Sequence, residues 1–244
     1  MNTTLPHTAE IAVISAGVSD PSSTRLLADR LVQRSIENLE ALGLAATASF
    51  IDLAPLATEI ATATIGGPHS DRLTVAIARL ASADAVIAAT PIYKAGVSGL
   101  FKSFIDLLDN DLLIARPVLL AATAGSPRHA LVVEDQLRPL FGFMRALTLP
   151  TSITATPDDW ADADLSTRVH RAATELAHTV RARIAESIAD ATWNAHRHEH
   201  AGAATRSATD TINVETALMQ LAAGGTLTAA REQRQQLINS PLPN

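Results

Sequence analysis

The sequence predicts a doubly wound α/β protein, built on a five-stranded parallel sheet in the order 2-1-3-4-5 and followed by a C-terminal extension. Three observations carry this prediction. Short apolar runs alternate with stretches of helical periodicity. Aromatic residues are 3 % of the 244 residues while hydrophobic content reaches 47 %, rich in Ala, Leu, Ile and Val, which suits helices packed on a buried parallel sheet. Runs one, three and four each empty into a Gly/Ser/Thr/Pro loop, as strands at a ligand-binding sheet edge do.

Ile11-Ala12-Val13-Ile14 reads as a buried strand ending in Ser15-Ala16-Gly17, with a loop that runs to Ser23. Leu27, Leu31, Val32, Ile36, Leu39 and Leu42 then recur at helical spacing as far as Gly43, a natural C-terminal stop. Residues 46–52 read as strand two, and Leu73, Ile77 and Leu80 mark a helix beyond the Gly66-Gly67-Pro68 loop. Strand three is Ala85-Val86-Ile87-Ala88-Ala89, and Phe101, Phe104, Ile105 and Leu108 form the next helical stripe. Residues 117–123 read as strand four, followed by a helix to about residue 146 and a last strand at 152–155. A final helix is expected over 166–188. Beyond it the character turns polar, so residues 1–190 are read as the folded domain and 191–244 as an extension, mainly helical or disordered, with short helices near Val214, Leu218 and Leu221 and over 229–237.

Composition narrows the chemistry. With no cysteine, disulfides, thiolate catalysis and Cys-built metal sites are excluded, so redox work requires a bound cofactor. No basic leader with a long apolar stretch opens the chain, and no apolar run approaches about 18 residues, which points to the cytoplasm and away from membranes. A formal charge of -6 without a dense Lys/Arg cluster disfavours nucleic acid and requires any anion to find a local cradle. His196 and His200 stand at i and i+4 but lack a companion ligand set, so no metal is expected. Gly96-Val97-Ser98-Gly99 is not a serine-hydrolase elbow. Neither a Gly-x-Gly-x-x-Gly nor a Walker loop occurs.

The first loop carries the main signal. Ser15, Ser19, Ser22, Ser23 and Thr24 surround a strand-to-helix turn, where hydroxyls, free N–H groups and the helix dipole make a site for a phosphate monoester. Plain helix capping by Ser22, Ser23 and Thr24 is the other reading of the same residues.

Three segments resemble the NAD(P)H-dependent FMN reductases, flavodoxin-like proteins that include the reductase components of two-component, luciferase-like monooxygenases. Ser22-Ser23-Thr24-Arg25-Leu26-Leu27-Ala28 is similar to the family's phosphate loop. Residues 89–106, with Thr90-Pro91-Ile92-Tyr93-Lys94 and Ser98-Gly99-Leu100, are similar to its Thr-Pro-x-Tyr…Ser-Gly-x-Leu signature. Ala122-Thr123-Ala124-Gly125 matches the loop after strand four. The chain departs from the family at Gly17-Val18-Ser19-Asp20, which has no Arg and sets an acid close to the phosphate loop.

The resemblance implies that the first loop holds the FMN phosphate, that Pro91, Ile92, Tyr93 and Lys94 run along the isoalloxazine edge with Ser98 in the same signature, and that Thr123, Ala124 and Gly125 wall the other side. It implies hydride transfer from NADH or NADPH to the flavin without a side-chain acid or base, delivery of reduced FMN to a partner monooxygenase, and a homodimer or homotetramer. The residues leave two rivals open: a quinone or azo reductase that retains FMN, and a flavodoxin-like electron carrier. Leu100, Phe101, Phe104, Leu107 and Leu108 make one helix apolar around most of its girth, which fits either an oligomer interface or burial within one chain.

Overall fold

Ile11-Ala12-Val13-Ile14 forms the centre of β1 (Ala9–Ser15) and is fully buried, as a strand covered on both faces must be. The computed structural model describes residues 7–188. The extension expected over 191–244 and the pair His196 and His200 lie outside them. After β1 come α1 (Ser23–Ala41), β2 (Ala46–Asp52), α2 (Ala57–Thr64), α3 (Asp71–Ser82), β3 (Ala85–Tyr93), β4 (Gly96–Val97), α4 (Gly99–Ile105), β5 (Pro117–Thr123), α5 (Arg138–Phe143), β6 (Leu147–Thr148), β7 (Ile153–Ala155), α6 (Ala163–Arg181) and α7 (Ile184–Ile188). At the end of α1, Gly43 takes φ +78 and ends the helix, as its position predicts.

β1 lies between β2 and β3, and β3 lies between β1 and β5, all parallel. β6 and β7 both pair in parallel with β5. The predicted order 2-1-3-4-5 therefore stands, with its fifth strand in two pieces and β4 folded back antiparallel on the end of β3. This is the flavodoxin-like arrangement. Alternate strand residues feed two layers. Ala12, Ile14, Val86, Ala88, Val118 and Leu120 pack against α3, α4 and α5 through Leu73, Leu80, Phe101, Phe104 and Phe141. Ile11, Val13, Ile87 and Leu119 pack against α1 and α6 through Leu27, Leu31, Leu165 and Leu176. In α4, Phe101 and Phe104 are buried and Leu100 packs on the same core; just beyond its end Leu108 is buried and Leu107 packs there too.

Several elements differ from the sequence reading. The final helix, expected over 166–188, is two helices, α6 and α7, broken at Arg183, which takes φ 49, and α2 and β4 are additions to that reading. The single helix expected after β5 is instead a 3₁₀ turn (Pro127–His129), a π turn (Val133–Leu137) and the short α5. Pro139, at the start of α5, has no N–H to give the preceding turn, and the wider π geometry absorbs that gap. The fifth strand, read as 152–155, also gains β6 and breaks at Pro150, again for want of a donor. Side chains satisfy the break: Arg138 donates to the carbonyls of Leu149 (2.8 Å) and Pro150 (3.3 Å), and Glu175 accepts the Thr151 N–H (2.8 Å).

Candidate functional site

Sheet register sets the candidate site. Ser15 pairs with Ala89, and Pro91 with Thr123, so the carboxyl ends of β1, β3 and β5 lie side by side. The Ala16 N–H donates to Ala89 O at 3.0 Å, which carries the pairing into the first loop. Thr24, in the first turn of α1, and Thr123, at the end of β5, share a buried hydroxyl–hydroxyl bond of 2.6 Å. The three loops singled out in the sequence are thus brought to one sheet edge.

In the first loop Ser22 is the N-cap of α1, its Oγ accepting the Arg25 N–H at 3.1 Å and its carbonyl the Leu26 N–H at 3.0 Å. The N–H groups of Ser23 and Thr24 precede those bonds and, like all first-turn donors, have no partner in the helix. No acidic residue occupies that first turn, so the positive end of the helix dipole is unopposed there. A Cβ on Gly17 would sit 1.9 Å from Ser22 Oγ, so glycine alone lets the strand exit lie against the cap. Of the five hydroxyl residues, Ser15 and Thr24 are buried, Ser22 is half-buried, and Ser19 and Ser23 are exposed, as is Asp20.

Arg25 is paired within the chain. Its guanidinium bonds Asp29 (3.0 Å) and Asp52 (2.5 Å) and lies 3.6 Å from the centre of the Phe50 ring. Burial pulls its pKa down, yet the hydrogen bonds to Asp29 and Asp52 outweigh it and raise the value. The first loop therefore offers neutral donors and a dipole rather than a cation.

At the end of β3, Pro91 and Ile92 are buried while Tyr93 is 51 % exposed, and Lys94 is exposed. Lys94 (φ 51) and Ala95 (φ 62) form a two-residue turn into β4. Ser98 is buried and its polar groups are committed: it accepts the Phe101 N–H as N-cap of α4 (3.2 Å), takes a bond from Thr90 Oγ1 (3.2 Å), and donates its N–H to that same oxygen (3.3 Å). It fixes the loop's shape. After β5, the N–H of buried Ala124 bonds Ala155 O (2.9 Å), whereas Gly125 is exposed with open space where a side chain would stand.

Sequence reasoning missed Gln136. Its Nε2 donates to Ala95 O (3.0 Å) and its Oε1 accepts the Val97 N–H (3.1 Å), across about forty residues of chain that no local pattern links.

These groups suit FMN. Free first-turn N–H groups, hydroxyls and a helix dipole match a phosphate, and the exposed face of Tyr93 beside an unfilled Gly125 matches a flat ring. A cavity of about 270 Å³ lined by His7, Gly43, Asp84 and Arg181 lies at the opposite ends of the strands and is separate from this edge. Among the described residues no group of three or more His, Asp or Glu is placed to hold a metal ion, and no helix is long and apolar enough to cross a membrane.

Known proteins share both the sequence and the shape. The family model for NADPH-dependent FMN reductase matches residues 9–161. The NADH-dependent FMN reductase SfnE of Pseudomonas putida is 35 % identical over 167 residues, covering 68 % of this chain and 87 % of that one. The crystal structure of an oxidoreductase from Corynebacterium diphtheriae is similar with a TM-score of 0.70 at 41 % identity, over 72 % of this chain and 98 % of that one. The apo form of the NADH:FMN oxidoreductase EMOB is similar with a TM-score of 0.64 at 26 % identity, over 70 % and 90 %. With three loops gathered at the strand ends and these likenesses running through all of them, the chain belongs to the NADPH-dependent FMN reductase family and is an oxidoreductase that works with FMN and NAD(P)H.

Proposed function

We propose that the sheet edge binds FMN with its phosphate at Ser19, Ser22, Ser23 and Thr24, its ring edge along the backbone of Pro91, Ile92, Tyr93 and Lys94, and its far side against Thr123, Ala124 and Gly125. Ser15 and Ser98 shape the pocket from beneath. The observation that carries this reading is the buried Thr24–Thr123 bond, which ties the phosphate loop to the ring wall. When bound, FMN supplies the electron chemistry, taking a hydride at N5 from C4 of NADH or NADPH.

The chain's own part is geometric. The α1 N-terminus would stabilise the phosphate through its N–H groups and partial positive charge, and residues 91–94 and 123–125 would hold the ring with one face left for a nicotinamide. Because Tyr93 and Lys94 leave the ring edge open to solvent, FMN exchanges as a substrate. By resemblance to the family, reduced FMN passes to a separate flavin-dependent monooxygenase, the protein works in the cytoplasm, and it assembles as a homodimer or homotetramer. Residues 1–190 form the flavin-binding domain and 191–244 an extension.

Anaerobic titration with NADH and NADPH, with and without FMN, is expected to show nicotinamide oxidation that requires FMN; its absence with both nicotinamides overturns the enzyme reading. Ser23→Asp tests the phosphate loop. An acid at the start of α1 favours the helix dipole, so the thermal midpoint is expected to hold or rise while FMN affinity drops by about tenfold or more through charge repulsion.

A further inference from the structure

We propose that Gln136 is a positioning residue for the flavin: its side-chain amide clamps the tip of the 92–97 hairpin and fixes the left-handed turn beside the ring-binding backbone. This rests on the placement of the FMN ring against residues 91–94.

The turn is a demanding one. Two-residue hairpin loops with positive φ at both positions favour Asn-Gly, because a Cβ crowds its own backbone there. Here the two positions are Lys94 (φ 51) and Ala95 (φ 62), and neither is a residue that favours that conformation. The ladder on either side is only two pairs long, Ile92 with Val97 and Tyr93 with Gly96. So short a ribbon does not hold itself in water.

Gln136 supplies what the turn lacks. Its amide spans the tip, donating to Ala95 O at 3.0 Å and accepting the Val97 N–H at 3.1 Å. Gly96 makes room, since a Cβ there would stand 3.3 Å from Gln136 Oε1. Gln136 is itself exposed, but the segment that carries it is anchored: Val133 and Leu137 are buried on either side of it in the π turn, and Glu134 and Arg138 pair across the same segment. Single π turns recur at functional sites because they re-aim one side chain out of an otherwise helical path. This one follows the loop that begins at the end of β5, so Gln136 joins the segment after one wall of the site to the hairpin that forms the other.

Gln136→Leu keeps the size and removes both bonds. Wild-type protein, Q136L, the double variant Q136L/A95G and S23D are compared by flavin-fluorescence titration with FMN and by steady-state kinetics. Q136L is expected to raise the FMN Kd and KM about tenfold while kcat at saturating FMN stays within about twofold. Ala95→Gly in the Q136L background is expected to recover most of the lost affinity, because glycine takes positive φ freely; a general packing defect would not respond. Unchanged FMN affinity in Q136L, or no recovery with A95G, overturns the clamp.

If Q136L does not fold, Q136E replaces it. That variant keeps an acceptor for the Val97 N–H but sets a second carboxylate oxygen, which has no hydrogen to give, against Ala95 O, so it is expected to weaken FMN severalfold or more, and wild-type affinity there also overturns the clamp. S23D separates the two readings. If S23D binds FMN as wild type does, the placement of FMN fails; if S23D weakens FMN and Q136L does not, the clamp alone fails.

Discussion

Thr24 and Thr123 are separated by almost a hundred residues, yet their hydroxyls meet at 2.6 Å in a place closed to water. Each was visible in the sequence as a hydroxyl near a strand end. That they bond each other was not, because strand order brings the two loops side by side without saying which side chains meet. Thr24→Val keeps the shape but leaves Thr123 without its buried partner. The variant is expected to lose about 1–2 kcal/mol of stability in a urea melt and to bind FMN more weakly in the same preparation. Equal stability would show that water replaces the lost bond. Arg25 stands in the phosphate-loop segment, yet its charge is committed to Asp29 and Asp52 beside Phe50, pairings that only the packing shows.

At the scale of elements, two of the places where the chain departs from its local pattern coincide with proline. Pro139 turns an expected helix into a π turn plus α5, and Pro150 splits the fifth strand. A network centred on Glu134 and Arg138 holds the two breaks together, with Ser152 Oγ donating to Glu134 at 2.6 Å. The hydrogen bond from Arg138 lowers the Glu134 pKa most, burial opposes it, and Ser152 adds to the lowering. A carboxyl held below its ordinary value contributes stability above the unfolded pKa, near about 4.3, and loses it as pH falls through the lower folded value. Glu134→Gln is therefore expected to be less stable than wild type at neutral pH, with the gap closing below about pH 4 when unfolding is followed by circular dichroism. A gap that persists at low pH would assign the loss to packing instead of charge.

The molecule as a whole carries a formal charge of -6, and the anion site proposed for it is built from N–H groups, hydroxyls and a helix dipole. Such a protein repels a dianionic phosphate at long range while holding it at short range. Raising ionic strength from about 20 to 200 mM screens the long-range part, since the Debye length falls to under about 10 Å. FMN affinity is therefore expected to stay constant or improve with salt in a fluorescence titration. A marked loss would show that a cation such as Arg25 leaves its carboxylates to meet the phosphate.

The sequence by itself determined the parallel sheet, its strand order, the three loops and the flavin family, because strand periodicity, helix stops such as Gly43 and the segment from Thr90 to Gly99 are local patterns written over a few residues each. Only the tertiary structure decided which hydroxyls are spent on structure, as Ser98 is on Thr90 and Phe101, which charge is already paired, and that Gln136 reaches the hairpin tip. Those outcomes depend on which distant segments become neighbours, and a side chain's partner across a folded sheet leaves no trace in the residues beside it.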